Sequence, residues 1–234
     1  MLILAFETSA KAASVALVED GSLVAEYQQN SGQTHSRTLM KMAEDLLRNC
    51  DRKPEDVTAV ACAAGPGSFT GVRIGVSAAK GFAWGLELPC MGVSTLEGMV
   101  RGIAVADGVY CAVMDARRNQ VYTALFSMKD GNICRLTEDM AISVEELGTL
   151  LKKEENNKFL VGDGALLCYN NLRSEVPDLI LLPEHLRMQR ASGTAMVAWD
   201  RLSAGESPNG AELIPNYLRL SQAERERMNK EKME

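Results

Sequence analysis

The chain lacks several features that would each place it in a particular class of protein. Its six cysteines lie at least twelve residues apart, which excludes a CxxC redox pair and a zinc knuckle and favours reduced thiols. The longest apolar runs are too short to cross a bilayer, and the opening residues "MLILAFETSAKAA" have no basic leader of a secretory signal. We therefore expect a cytoplasmic protein without membrane association.

An excess of positive charge is also missing. The 234 residues include 25 Lys and Arg against 31 Asp and Glu, for a net charge of −6. Proteins that bind nucleic acid on their own use clustered Lys and Arg to contact phosphates. Any work on nucleic acid is therefore expected to need a partner. The 46% hydrophobic content is ordinary for a folded chain with a core.

The same order of elements, βββαβαβ, occurs twice along the chain. Apolar alternation and helical spacing predict the first copy in these segments: strands at 2–6, 13–19, 23–28, 57–63 and 88–93, and helices at 36–50 and 71–86. The second copy begins near residue 108, and Ser143 with Glu146 forms a capping box before its first helix. The repeat predicts an α/β fold with lobes at 1–105 and 106–220 and a charged tail at 221–234.

A glycine-rich stretch, "AGPGSFTGVRIG", directly follows a predicted buried strand. It is not a Walker loop, because no Lys with Ser or Thr follows the second glycine, and its GxGxxxG spacing does not fit a dinucleotide fingerprint. Two uses remain. Ser68, Thr70 and backbone N–H groups can bind an anion at a helix N-terminus. Alternatively, Gly71, Gly75 and Ala79 form a smooth helical stripe that packs on its own sheet or on another subunit.

Five segments together identify a family. They are "LAFETS", "THSRTLMKMAEDLL", "AGPGSFTGVRIG", "MDARRNQVYTALF" and "PNYLR", and they span almost the whole chain. The sequence closely resembles the TsaB (YeaZ) family. The resemblance implies an actin-like fold of the sugar kinase, Hsp70 and actin class, with two βββαβα-type lobes. It also implies a role in forming N6-threonylcarbamoyladenosine next to the anticodon of tRNAs that read ANN codons.

The resemblance implies a set of partners. The TsaB family is a noncatalytic paralogue of the transferase TsaD, which it binds and activates together with the ATPase TsaE. We expect tRNA contact through the complex, a homodimer when the partner is absent, and ATP or ADP only at the level of the complex. The catalytic relative carries an HxxxH metal pair on its first helix. Here Leu39 stands four residues after His35, and His185 is the other histidine, so no metal site is expected.

The resemblance further implies that helices 36–50 and 70–86 form the surface on which TsaD docks. The candidate interface residues are Leu39, Met42, Leu46, Val72, Gly75, Val76, Ala79 and Lys80. The alternative is that Leu39, Met42 and Leu46 cover their own sheet.

Four residues are candidates for contact with an anion or a nucleotide. Glu7 and Asp115 each follow the first strand of a lobe, where actin-like ATPases carry a carboxylate, and Ser68 and Thr70 lie in the glycine-rich loop. The family usually has Asp at the position of Glu7. Asp163, between two glycines, is predicted to be a turn residue.

Two other functions stay open at the level of sequence. The chain could be an independent enzyme, either a weak ATPase or a metallopeptidase-like protein, or a dimeric interaction module of another pathway. ATP turnover by the isolated chain would indicate the first, and failure to copurify with a TsaD-like protein would indicate the second.

Overall fold

The computed structural model describes residues 1–219, so the predicted tail at 221–234 lies outside the described residues. The strands are β1 (Leu2–Glu7), β2 (Ala13–Glu19), β3 (Ser22–Gln29), β4 (Ala59–Gly65), β5 (Cys90–Ser94), β6 (Gly108–Asp115), β7 (Gln120–Lys129), β8 (Asn132–Arg135), β9 (Met140–Ser143), β10 (Lys158–Val161) and β11 (Leu179–Leu181). The helices are α1 (His35–Asn49), α2 (Phe69–Gly85), α3 (Thr95–Arg101), α4 (Val144–Leu151), α5 (Ala165–Leu172), α6 (Glu184–Arg187) and α7 (Ala191–Ser203), with a short 3-10 turn at Pro54–Asp56.

The two sheets have matching topology. The first has the order β3-β2-β1-β4-β5, and the second has the order β11-β10-β6-β7-β8 with β9 paired to β7. In each sheet the first two strands pair antiparallel and the later strands run parallel to the first. The predicted duplication is confirmed, with two additions: the second lobe contains the extra strand β9, and α3 follows β5 directly.

Helices form layers on both faces of each sheet. The apolar faces of α1 and α2 cover one side of the first sheet, around Leu4, Phe6 and Val60. The helices α4 and α5 cover the outer side of the second sheet. Between the two sheets, α3 and α7 pack against each other, and Gly98 and Gly193 allow their backbones to approach closely. The layer order is therefore helices, sheet, helices, sheet, helices.

The contacts of the last helix cross the predicted lobe boundary. Ala191, Ala195 and Ala198 of α7 pack against Ile3 and Ala5 of the first sheet, so the last helix belongs to the first lobe by its contacts. Helix α3 does the reverse: it packs on the second sheet although it precedes that sheet in the chain. Apolar spacing shows that a helix has a buried face but does not show which sheet that face covers.

Residues 209–219 cross the first lobe without forming a helix or strand, and we call this segment the C-terminal strap. The Asn216 N–H donates to the Ala64 carbonyl at 2.6 Å. Gly65, at φ +112°, has no room for a side chain because a Cβ would collide with the Asn216 carbonyl oxygen. At its end, Arg219 donates to the Ala116 carbonyl at 2.8 Å. The strap therefore connects the first lobe to the β6–β7 hairpin of the second.

Candidate functional site

The predicted interface residues lie mostly in the core of the first lobe. Seven of the eight are buried, with exposed fractions of 9% or less where a side chain is present. They are Leu39, Met42, Leu46, Val72, Gly75, Val76 and Ala79. The prediction that these residues form a docking surface is therefore wrong, and the alternative, that they cover their own sheet, describes them. The physical reason is that each helix turns its most apolar stripe toward the sheet.

The glycine stripe faces inward as well. The Thr8 hydroxyl donates to the Gly71 carbonyl at 2.8 Å. A Cβ on Gly71 would collide with the Thr8 carbonyl oxygen, and a Cβ on Gly75 would lie 2.5 Å from the Thr8 hydroxyl oxygen. Both glycines are therefore needed for α2 to approach the end of β1.

Lys80, the eighth predicted residue, is half-buried and contacts the C-terminal strap. Its ammonium group donates to the carbonyls of Ala211 and Leu213 at 3.2 and 3.1 Å. These two hydrogen bonds hold the strap against α2.

A groove of about 550 Å³ lies on the outer side of the first lobe, between α1 and α2. We call it the outer groove. Its lining residues include one of the predicted interface residues, Leu39; the others are Ser36, Met40, Phe69, Thr70, Arg73, Ile74, Ser77 and Ala78. Met40 is 45% exposed, and one turn beyond Ser77 a Cβ on Gly81 would meet nothing within 4 Å. Trp84, at the end of α2, is 86% exposed. Apart from the buried Leu39, these residues form an exposed, largely uncharged part of α1 and α2 that is available to a partner.

Sequence reasoning missed the outer residues of α2, although a signal was present. Ser77, Gly81 and Trp84 recur at i, i+4 and i+7, opposite the stripe that contains Val72 and Val76. β-Branched apolar residues mark the buried side of a mixed helix better than small residues do, since burying a valine removes more apolar surface from water. The stripe that contains valines was therefore the one to assign to the core.

The loop residues predicted to contact an anion have local roles. The Ser68 hydroxyl caps α2 by accepting from the Gly71 N–H at 3.3 Å. The Ser68 N–H donates to the Ser9 carbonyl at 2.6 Å. Thr70 is exposed and lines the outer groove instead. The structure therefore does not direct these two side chains at one common ligand.

The structure brings Glu7, Asp115 and Asp163 into one electrostatic cluster between the lobes, the interlobe acid cluster. Glu7 is 1% exposed, and its carboxylate accepts from the Ser9 N–H at 2.6 Å. Burial is the main reason that the pKa of Glu7 is raised to about 7; the charge of Asp163 contributes to the rise, and the hydrogen bond from the Ser9 N–H opposes it. Sequence reasoning identified Asp163 only as a turn residue.

Asp163 shares this environment. Burial raises the pKa of Asp163, while a hydrogen bond from the Gln189 amide at 3.2 Å opposes the rise and the charge of Asp115 adds to it. Inside the cluster, Ser9 Oγ and Gln189 Oε1 are buried without a hydrogen-bond partner among residues 1–219.

Contact of Glu7 and Asp115 with a nucleotide stays a prediction. Phosphate sites in proteins are built from N–H donors and cations, whereas Glu7 and Asp163 are carboxylates whose protonated forms are favoured by burial. Over residues 1–219, no group of three or more His, Cys, Asp and Glu side chains is arranged to hold a metal ion. Binding of ATP or ADP at the level of a complex stays a prediction.

The two histidines do not form a metal-binding pair, because they lie in different elements with different neighbours. His35 lies at the start of α1 with its Nε2 2.8 Å from the Ala10 carbonyl oxygen. Leu39, one turn later, is 1% exposed and packs in the core. The position that would carry a second imidazole therefore offers no donor atom. His185 lies in α6, an element of four residues.

Comparison with known proteins places these features in a family. Residues 24–226 match the family model described as "TsaD: tRNA N6-adenosine threonylcarbamoyltransferase". The chain is 33% identical over 231 residues to the tRNA threonylcarbamoyladenosine biosynthesis protein TsaB of Bacillus subtilis, and the match covers 96% of each chain. The chain belongs to the TsaB family. The TsaB of Escherichia coli is 31% identical, over 94% of this chain and 95% of its own.

A solved structure agrees with this assignment. An uncharacterized protein from Pseudomonas aeruginosa, described as similar to peptidase YeaZ, superposes with a TM-score of 0.79 at 26% identity, covering 93% of this chain and 99% of its own. The actin-like, two-lobed α/β fold expected of the TsaB family is confirmed, and membership indicates a role in the biosynthesis of threonylcarbamoyladenosine in tRNA. Within the described residues, no helix is long and apolar enough to cross a membrane.

Proposed function

We propose that this chain is the noncatalytic partner and activator of a TsaD-type transferase, and that the partner docks in the outer groove. The observation that carries the proposal is Gly81. A glycine in a helix interior costs about 1 kcal/mol relative to alanine, and Gly81 faces open space in which a Cβ would meet no atom. Close approach of a partner's backbone gives this glycine a function, since only glycine leaves that space empty.

The surroundings of Gly81 support the same use. Ser77 is the small residue one turn before it, and the exposed Met40 lies on the facing helix. Trp84, at 86% exposure, presents a large apolar surface at the end of α2. Aromatic residues and Met are enriched at protein interfaces, whereas most large apolar side chains of a lone chain are buried.

The arrangement around α1 supports a noncatalytic role. His35 is engaged by a backbone carbonyl, and Leu39 replaces the second imidazole expected of a TsaD-type metal site. The chain therefore contributes a surface to the reaction, and the transfer chemistry belongs to the partner.

The wider proposal follows the family. We propose that the chain acts in the cytoplasm with a TsaE-type ATPase, and that the assembly forms N6-threonylcarbamoyladenosine next to the anticodon of tRNAs that read ANN codons. ATP or ADP would bind at the level of this assembly. The net charge of −6 supports contact with tRNA through the complex rather than by this chain alone. In the absence of the partner, the same groove would support a homodimer.

Binding of a purified TsaD-type relative to Gly81→Leu tests the docking surface. Leucine at this position would occupy the space into which the partner's backbone packs, so we expect affinity to fall by about tenfold or more, while the chain alone is at least as stable to thermal unfolding as wild type. The matched control is Thr149→Leu, which adds the same side chain to an exposed position on α4. Equal binding by both variants would show that the outer groove is not the docking surface.

A further inference from the structure

Three residues form a stacked cluster at one end of the outer groove. The rings of Phe69 and Tyr217 stack with centroids 4.5 Å apart. The guanidinium carbon of Arg73 lies 3.8 Å from the centroid of the Phe69 ring and 5.7 Å from that of Tyr217. Arg73 Nε donates to the Tyr217 hydroxyl at 2.8 Å. The cluster joins α2, which lines the groove, to the C-terminal strap, and it fixes the plane of an exposed guanidinium group.

Arg73 differs from six of the twelve other arginines among residues 1–219 in its pairing. Carboxylate partners lie within 4 Å of these arginines: Arg48, Arg52, Arg101, Arg135, Arg190 and Arg201. Within residues 1–219, Arg73 has no such carboxylate, and its terminal nitrogens make no hydrogen bond to another residue. The two terminal NH₂ groups are therefore available at the rim of the outer groove.

A guanidinium group held in this way is suited to one kind of ligand. Its planar N–H groups match a carboxylate in a bidentate pair, and a group already fixed by stacking loses less conformational entropy when the pair forms. We propose that Arg73 is the carboxylate-recognition residue of the outer groove, and that it pairs with an Asp or Glu on the docking helix of the TsaD-type partner. This proposal rests on the proposed function, because it assumes that the partner occupies the groove.

Charge complementarity favours that partner over a second copy of this chain. Helix α2 contains no acidic residue, and the acidic residues of α1 are Glu44 and Asp45. Lys41 lies 3.1 and 3.4 Å from their carboxylates, and Arg48 also pairs with both. The two groove helices of a second copy would therefore bring no unpaired carboxylate to Arg73.

Tyr217 is a positioning residue in this arrangement. Its ring and hydroxyl hold Arg73 against Phe69, and the backbone of the strap is fixed nearby by the hydrogen bond of Asn216 to Ala64. The strap therefore gives the groove a second wall and sets the orientation of its charged residue.

The test measures the dissociation constant for the TsaD-type relative at low and high salt. We expect Arg73→Gln to bind about tenfold more weakly at low salt, because a charge-assisted hydrogen bond is lost. The difference from wild type should shrink at high salt, because exposed charge pairs are screened. Tyr217→Phe, which removes only the acceptor of Arg73 Nε, should weaken binding about threefold. The control is Arg173→Gln, an exposed arginine 6.0 Å from the Tyr169 ring in the second lobe, which should bind as wild type does.

A second variant separates recognition from simple attachment of the strap. Lys80→Met loosens the strap but keeps the positive charge of Arg73. If it weakens binding as much as Arg73→Gln does, and neither loss depends on salt, Arg73 only anchors the strap and the inference is overturned. An effect of Arg73→Gln on self-association with no effect on partner affinity would also overturn it.

The same measurements separate this inference from the proposed function. Loss of binding in Gly81→Leu together with unchanged binding in Arg73→Gln would keep the docking surface and reject carboxylate recognition by Arg73. Failure of the wild-type chain to bind an active TsaD-type relative would reject both.

Discussion

Glu7 ends β1 with a buried carboxylate that has no cation to neutralise it among residues 1–219. Its surroundings favour the protonated form, because burial penalises the charge and Asp163 adds a second negative charge nearby. At neutral pH the carboxyl group is therefore close to its titration midpoint, and the stability of the first lobe should depend on pH in this range.

Glu7→Gln tests this dependence. The folded pKa of Glu7 is raised to about 7, so its contribution to stability is fully present below the unfolded pKa near 4.5 and is lost as pH rises through 7. Between about pH 5 and pH 8 the free energy of unfolding of the wild type should fall by on the order of 3 kcal/mol relative to the variant. Urea unfolding at several pH values measures the difference. Parallel pH profiles for the two proteins would contradict the account.

Gly75 and Gly81 lie on the same helix but have different surroundings. We therefore expect the same substitution to change the free energy of unfolding differently at the two positions. Gly75→Leu would force a side chain against the Thr8 hydroxyl and separate α2 from β1. We expect a loss of about 3 kcal/mol in the free energy of unfolding, from overpacking. Gly81→Leu faces open space and should raise the free energy of unfolding by up to about 1 kcal/mol, because leucine is a better helix former than glycine. Chemical denaturation of both variants decides the matter, and similar stabilities would refute the assignment of the two faces.

At the scale of the element, α2 shows what sequence pattern can and cannot specify. Its existence and its start were predictable, because Ser68 and the glycine-rich loop mark a helix N-terminus. Its orientation was not assigned correctly from Gly71, Gly75 and Ala79, because a stripe of small residues suits both a sheet and a second helix. The contact with Thr8, which lies far away in sequence, decides the orientation.

The C-terminal strap was not predictable as an element, since it has no periodic pattern. Its contacts with Ala64, Lys80 and Gly92 are made by backbone atoms or by a single side chain. The segment "PNYLR" was recognised only through its resemblance to a family, and its position against α2 follows from tertiary structure.

Leu213→Ala tests the packing of the strap. Leu213 packs against the core between the first sheet and helices α1 and α2, and it lies directly against Gly92. Its truncation should therefore cost about 2 kcal/mol in the free energy of unfolding. The adjacent Ile214 is 73% exposed, and Ile214→Ala should have almost no effect. Thermal unfolding of the two variants provides the comparison. Equal shifts in both would mean that the strap does not pack as described.

At the scale of the whole molecule, each sheet is covered on one face by a helix that belongs to the other lobe in sequence. The helix α7 covers the first sheet, and α3 covers the second. The repeated order of elements predicted the two sheets, because each strand carries its own apolar pattern. It did not predict the exchange, because the burial of Ala191 and Ala195 is equally consistent with either sheet.

This exchange predicts that a fragment of residues 1–105 does not fold alone. Without α7, the face of the first sheet that contains Ile3, Ala5 and Val93 would be exposed to water. We expect the fragment to show no cooperative thermal transition by circular dichroism, whereas residues 1–219 unfold cooperatively. A fragment that unfolds cooperatively on its own would contradict the packing of α7 as a required layer.

The central claim is that this chain activates a transferase without performing the transfer itself. The most direct test is threonylcarbamoyl transfer to unmodified tRNA in a reconstituted mixture of a donor-forming enzyme, a TsaD-type relative and a TsaE-type ATPase. We predict that modification requires this chain and is reduced by Gly81→Leu, and that the chain alone neither modifies tRNA nor hydrolyses ATP. Equal modification with and without this chain, with partners shown to be active, would contradict the account.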